Sequence, residues 1–196
     1  MTTEELELRK PVWIAMSDLF LDTDVRLLYA STARVLAESP FTVDELGLIF
    51  KKEVAPVLGW NLLAVAGVWD GFDEDWLVSR ITPRTSAKPR LPSFAPAAKQ
   101  DWKAVVVLIE ALRRLTEPER SRRLALWEQL SKLFVVSTGA PVLEGWSLEE
   151  LEAVWRNEMW PSYGLTVDLH VKHSLEGYPD REQIEQAWTR CRNAVS

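Results

Sequence analysis

Trp13-Ile-Ala-Met-Ser-Asp-Leu-Phe-Leu21 and Trp127-Glu-Gln-Leu-Ser-Lys-Leu-Phe-Val135 are one pattern written twice, W-x-x-[ML]-S-x-L-F-[LV], at an offset of 114 residues. A second pair follows in the same order. Thr42-Val-Asp-Glu-Leu-Gly-Leu-Ile-Phe-Lys-Lys-Glu-Val-Ala-Pro56 returns as Ser147-Leu-Glu-Glu-Leu-Glu-Ala-Val-Trp-Arg-Asn-Glu-Met-Trp-Pro161, at an offset of 105, and the likeness extends to Gly59 and Gly164. A weaker echo sets Asp70-Gly71-Phe72 against Glu176-Gly177-Tyr178. Three blocks in a fixed order point to an internal duplication. The offset shrinks between the first two blocks because the first copy holds Val25–Glu38, which reads as a helix. The second has only Val135–Trp146, which with Gly139, Pro141 and Gly145 reads as a loop.

The repeated residues are those of helices. Trp13, Ser17 and Phe20, and their counterparts Trp127, Ser131 and Phe134, fall near helical spacing, with Leu19 and Leu133 completing an apolar stripe. Thr42 with Glu45, and Ser147 with Glu150, are capping boxes that start the next helix of each copy. Pro56 and Pro161 disfavour helix at the residues before them, and Gly59 and Gly164 suit a left-handed turn beyond. Glu53 and Glu158 are less expected. They lie near helix C-termini, where the macrodipole disfavours negative charge, so each should have a specific partner: an indole N–H, an arginine or a backbone N–H.

The rest of the chain extends this pattern. Gly67–Trp76 clusters Trp69, Phe72 and Trp76 with Asp70, Asp73, Glu74 and Asp75, and opens a short helix, Asp73–Arg80. Thr82–Lys99 is basic and proline-rich, and reads as a connector. Asp101 reads as the N-cap of a helix to Leu115, Thr116-Glu-Pro-Glu119 as the cap of one to about Val135, and Asp180 as the cap of a last helix to about Asn193. Leu165–Val171 alternates apolar and polar residues like a half-buried strand, with Asn61–Val68 as a less clean counterpart. The expected fold is all-α or α-dominated, in two pseudo-symmetric helical halves with a possible short hairpin or edge. The expected units are residues 1–81, a connector at 82–100, and 101–196, which carries an extra leading helix.

Composition narrows the functional classes. The chain has 196 residues, is 47% hydrophobic and contains ten tryptophans, ample for a core and for contact surfaces. Cys191 is its only cysteine, so no internal disulfide forms. No signal-peptide core opens the sequence, and no stretch approaches the roughly 20 apolar residues of a membrane span. A cytoplasmic protein without a membrane is the expectation. The net charge of −6 divides into −7 over residues 1–80, +6 over 81–123 and −5 over 124–196. Acidic bodies of this kind weigh against general nucleic-acid binding.

Candidate chemistry is sparse. No P-loop, G-x-G-x-x-G or nucleophile elbow is present, and no catalytic residue or cofactor is expected. Asp168, His170 and His173 include both histidines and are weak metal candidates; the aligned places in the first copy hold Leu63, Val65 and Val68. Asp18, Asp22 and Asp24 lack the glycine and distal glutamate of a calcium loop, and Asp22 and Asp24 read better as helix ends and caps. Arg113, Arg114, Arg120, Arg122 and Arg123 form a basic group that reads as a solvated face, a docking patch for an acidic partner or, less well, a nucleic-acid contact. Trp69, Asp70, Phe72, Asp73 and Trp76, with Arg113 and Arg114, are the candidate protein-binding residues.

The stretches Trp13–Thr23, Glu53–Leu62 and Ala66–Asp73, which follow W-x-x-L-S-x-L-F-L-D-T (with Met16 at its first Leu), E-V-x-P-x-L-x-x-N-L and A-G-x-W-x-G-F-D, resemble a family of small uncharacterised bacterial proteins named only as a domain of unknown function. The resemblance covers roughly residues 9–81; Val136 stands in the second copy where the pattern has Asp22. It implies no activity. The expected function is a non-enzymatic bacterial binding protein, in its specific form an immunity protein that neutralises a partner toxin. The alternatives are a metal-dependent enzyme or metal-binding protein using the acidic and histidine residues, and a nucleic-acid-binding regulator using the central arginines.

Overall fold

The computed structural model describes residues 2–63, 67–82, 96–135, 141, 143–164, 167 and 179–195; among them every regular element is helical. In chain order these are α1 (Thr3–Ser17), α2 (Tyr29–Glu38), α3 (Val43–Ile49), α4 (Ala55–Leu58), α5 (Glu74–Ile81), α6 (Pro96–Arg113), α7 (Glu117–Val135), α8 (Leu148–Val154) and α9 (Arg181–Val195). Short 3₁₀ turns at Asp18–Phe20, Val25–Leu28 and Asn61–Leu63 join them. The fold is α-dominated, as expected. Of the suggested hairpin, Asn61–Leu63 is a 3₁₀ turn and Val167 is helical; residues 64–66, 165, 166 and 168–171 lie outside the described residues.

Local chemistry sets the helix starts. Thr42 and Glu45, and Ser147 and Glu150, form their reciprocal capping boxes, and Thr2 with Glu5 makes a third on α1. Each satisfies two orphan N–H groups and contributes about 1 kcal/mol. Glu119 reaches back to the Thr116 N–H, and Asp180 accepts from the Gln183 N–H.

The prolines act differently from the expectation. Helix does not stop before Pro56 or Pro161. It widens into π turns at Phe50–Val54 and Trp155–Met159, then continues through α4 and through 160–164. Proline has no N–H for the ladder, and its ring crowds the carbonyl one turn back; a wider turn accommodates both. Gly59 is consequently right-handed, at φ −58°. Gly164 has another use: a Cβ there would lie 3.2 Å from the Trp160 ring.

Asp101 is not an N-cap. Helix α6 begins five residues earlier, at Pro96, a residue suited to a first turn. This places Asp101 mid-helix and buried, where its carboxylate accepts from the Tyr29 hydroxyl at 2.5 Å.

Equivalent residues of the two sequence blocks meet equivalent surroundings. Trp13, Phe20, Trp127 and Phe134 are fully buried. Phe20 stacks on Phe50 (5.4 Å between centroids) and Phe50 on Trp102 of α6 (5.1 Å). Phe134 stacks on Trp155 (5.2 Å) and Trp155 on Trp188 of α9 (4.4 Å). Helix α6, read from sequence as the leading element of the second unit, packs along α2 and completes the first of these stacks. Tyr29 against Tyr163 (5.2 Å) and the Ser162 hydroxyl donating to the Ala104 carbonyl (2.9 Å) join the halves.

Candidate interaction surface

Glu53 and Glu158 have the partners their positions demand. The Trp13 indole N–H donates to Glu53 Oε2 at 2.7 Å, and Arg9 donates to Oε1 at 2.7 Å. The Trp127 indole N–H donates to Glu158 Oε2 at 2.8 Å, and Arg123 donates to Oε1. Each arginine stands one helical turn before its tryptophan, so arginine and indole descend one face of α1 or α7 onto the carboxylate. Charge-assisted bonds of this kind are about twice as strong as neutral ones, which offsets the unfavourable end of the helix dipole. Both carboxylates are fully engaged, and these residues clamp α1 and α7 to the π turns. Ser17 and Ser131 each bond the carbonyl three residues back, at Ile14 and Glu128.

The central arginines are also engaged. Arg113 donates to the carbonyls of Leu36, Ala37 and Phe41, closing the C-terminal end of α2. Arg120 bonds the Leu112 carbonyl, and Arg122 pairs with Glu150 while lying 3.7 Å over the Trp146 ring. Arg114 alone of the five projects freely, with a long contact to Glu110 (3.8 Å). The group binds elements of its own fold together. For Arg113 sequence periodicity carries no sign of this, because its acceptors are distant backbone carbonyls.

Most of the acidic candidates are structural. Asp24 caps the Val25–Leu28 turn and pairs with the buried Arg26 (2.7 Å). Asp18 is partly buried, and desolvation pushes its carboxyl up to about 6. Among the described residues no His, Cys, Asp and Glu side chains gather in a metal-binding group. Asp168, His170 and His173 lie outside the described residues. Cys191 is buried, which raises its thiol pKa.

The loop that follows the Asn61–Leu63 turn is built differently. Asn61 is completely buried, and its amide forms a clasp. Nδ2 donates to the carbonyls of Phe20 (2.8 Å) and Val68 (3.0 Å), while Oδ1 accepts from the Val68 N–H (2.8 Å). The Asp22 N–H donates to the same Val68 carbonyl at 2.8 Å. Gly67 fits against this clasp only because it lacks a side chain: a Cβ would come within 2.8 Å of the Asp22 Cβ and 2.9 Å of the Asn61 carbonyl oxygen. Gly71, at φ +122°, then turns the chain in a conformation that favours glycine. Asp73 caps α5 through the Trp76 N–H (2.7 Å), and Phe72 stacks on Trp76 (6.0 Å).

On this pinned loop Trp69 is 68% exposed, and Trp60, just before Asn61, is 52% exposed. Asp70, next to Trp69, and Glu74 and Asp75, in the first turn of α5, are exposed. Of the candidate binding residues, Trp69, Asp70, Phe72, Asp73 and Trp76 share this one surface, whereas Arg113 and Arg114 stand at the far end of α6. Sequence reading missed Asn61, Gly67 and Trp60; an asparagine inside the apolar run Leu58–Val68 was the available signal.

One family model, described as a domain of unknown function (DUF7079), matches residues 7–111. The chain belongs to that family. The DUF7079 match contains the first clamp, the Asn61 clasp and Trp69, and it crosses residues 82–95 to end two residues before the end of α6. No curated protein and no solved structure matches the chain.

Proposed function

We propose that this chain is a non-enzymatic protein-binding protein whose contact surface is the loop carrying Trp69, together with Trp60, the residue before the Asn61 that fastens that loop. One observation carries the proposal: among the described residues, the most exposed large hydrophobic side chain stands on a loop fastened by a fully buried asparagine. Exposed indoles are poor surface residues and good interface anchors, since they offer a large contact area at little cost in rotamer freedom. Fastening the loop in advance removes ordering entropy from the binding step. Among the described residues no helix is long and apolar enough to cross a membrane, which is compatible with a partner met in solution.

In its specific form the proposal is a cytoplasmic bacterial immunity protein that covers a toxin. The acidic flank of the loop supports this form, because acidic binders occlude basic catalytic grooves and associate fast by charge steering. The test is a tagged pull-down from the native cell with the wild type and Trp69→Ala side by side. A stoichiometric protein partner that the variant fails to retain, with unchanged circular dichroism, supports the proposal. Equal retention by both removes Trp69 from it, and recovery of the chain alone overturns it. Rescue of growth when the chain is co-expressed with that partner separates a toxin from any other partner.

A further inference from the structure

We infer, on the protein-binding reading above, that the partner is a basic polypeptide that places an arginine guanidinium on the exposed indole of Trp69 or Trp60 and sets neighbouring positive charge against Asp70 and Asp75. The first argument is what this chain does with four of its half-buried rings, the half-buried Phe72, Trp102 and Trp155 being stacked on other rings instead. Arg122 covers Trp146 at 3.7 Å, Arg181 covers Trp160 at 5.1 Å, Arg80 covers Trp76 at 5.7 Å and Arg9 covers Phe41 at 5.3 Å. Among the described residues Trp60 and Trp69 are the most exposed aromatics, and no cation lies over either.

The second argument is charge. Between Gly67 and Arg80 there are four acids and one base. Asp73 is engaged as a cap and Glu74 faces Lys10 at 3.7 Å, while Asp70 and Asp75 hold no ion pair among the described residues. A phosphate backbone or an anionic lipid surface would be repelled here. A cationic polypeptide would be attracted, and arginine suits the site better than lysine. Its planar guanidinium stacks on an indole while its edge N–H groups still reach a carboxylate, and it is more weakly hydrated than an ammonium.

The experiment uses the full chain and two labelled peptides of equal charge, nona-arginine and nona-lysine, titrated by fluorescence anisotropy at low and at physiological salt. The arginine peptide is expected to bind about tenfold more tightly than the lysine peptide. Trp69→Ala combined with Trp60→Ala should abolish that preference. Asp70→Asn combined with Asp75→Asn should weaken both peptides and flatten the salt dependence. Equal binding of the two peptides, or a preference that survives loss of both indoles, overturns the inference.

A second measurement separates this inference from the reading beneath it. With Glu74→benzoylphenylalanine in the native cell, which leaves both indoles, Asp70 and Asp75 in place, crosslinking to an arginine-bearing segment, competed by nona-arginine, supports both. Crosslinking to a neutral or acidic segment keeps the protein-binding reading and overturns the basic partner. No crosslink overturns both.

Discussion

Among the described residues the two halves share a clamp but not a clasp. Arg9, Trp13 and Glu53 in the first, and Arg123, Trp127 and Glu158 in the second, make the same bonds between a long helix and a π turn. The second half does not repeat the clasp's residues in sequence: Val136 stands where Asp22 would be, and at the second block's offset Thr166 stands where Asn61 would be. What recurs is what holds helices together; what occurs once is what fastens an exposed tryptophan. On the reading that the halves are copies of one unit, α6 and α9 are counterparts, since Trp102 and Trp188 close equivalent ring stacks. The unit boundary then falls at the Leu115–Thr116 turn, just past the end of the family match.

The largest expected effect tests whether the clamps are equivalent. Glu53→Ala and Glu158→Ala each leave an indole N–H and a half-buried arginine without their acceptor, at a cost of about 3 kcal/mol apiece. Urea unfolding should show both losses, alike to within about 1 kcal/mol. If one variant were silent, the clamps would be similar in geometry but unequal in role, and the comparison would break.

The clasp is tested by Asn61→Ala, which strips three bonds from a buried site. About 2 kcal/mol is expected, with a sign that the clamp variants lack: faster amide exchange at Val68 and weakened partner binding. Exchange that stays slow would mean that Asp22 alone holds the loop. Substituting the close-packed glycines is a finer version. Gly67→Ala drives a Cβ into backbone and should cost about 2 kcal/mol; Gly164→Ala meets a ring at 3.2 Å and should cost about 1 kcal/mol. Thermal midpoints in the reverse order would show that the clasp yields more easily than the Trp160 packing.

Sequence carried the helices, their capping boxes and the anomaly of Glu53 and Glu158, because these depend on neighbours within a turn or on a charge at the wrong end of a helix. It also offered Arg9 and Arg123, which share the offset of 114 with the tryptophans, and that signal went unread. Arg113 could not be read as a cap for α2. Its acceptors, the carbonyls of Leu36, Ala37 and Phe41, are more than 70 residues away and carry no side-chain signature. Asp101 misled for the opposite reason. An aspartate before an apolar run is the local mark of an N-cap, and only tertiary burial against Tyr29 overrides it. Of the interaction surface, the cluster Trp69–Trp76 was legible from composition. Its fastening was not, since Asn61 acts on backbone groups brought in from two other segments.

The last effect concerns pH, and it too divides the halves. Burial pushes the Asp101 carboxyl up to about 6, with Asp24 nearby adding to the rise while the Tyr29 hydroxyl and Arg26 oppose it. Its pKa in the unfolded chain is the ordinary value of about 3.9. The folded state therefore holds the proton more tightly, so stability falls as pH rises from about 4 through 6, and the cost is fully present above that. Asp18 acts in the same direction. Asp101→Asn keeps an oxygen for the Tyr29 hydroxyl and removes the ionisation. The variant should be about 2–3 kcal/mol more stable than the wild type at pH 7. That advantage should vanish near pH 4, and Asp18 should leave a residual slope. On α9 the place corresponding to Asp101 is Ala187, immediately before Trp188, so the second half has no equivalent ionisation there. If urea unfolding showed the same slope between pH 4 and 6 in wild type and Asp101→Asn, the buried carboxylate would not be the source of the pH dependence, and this difference between the halves would fall.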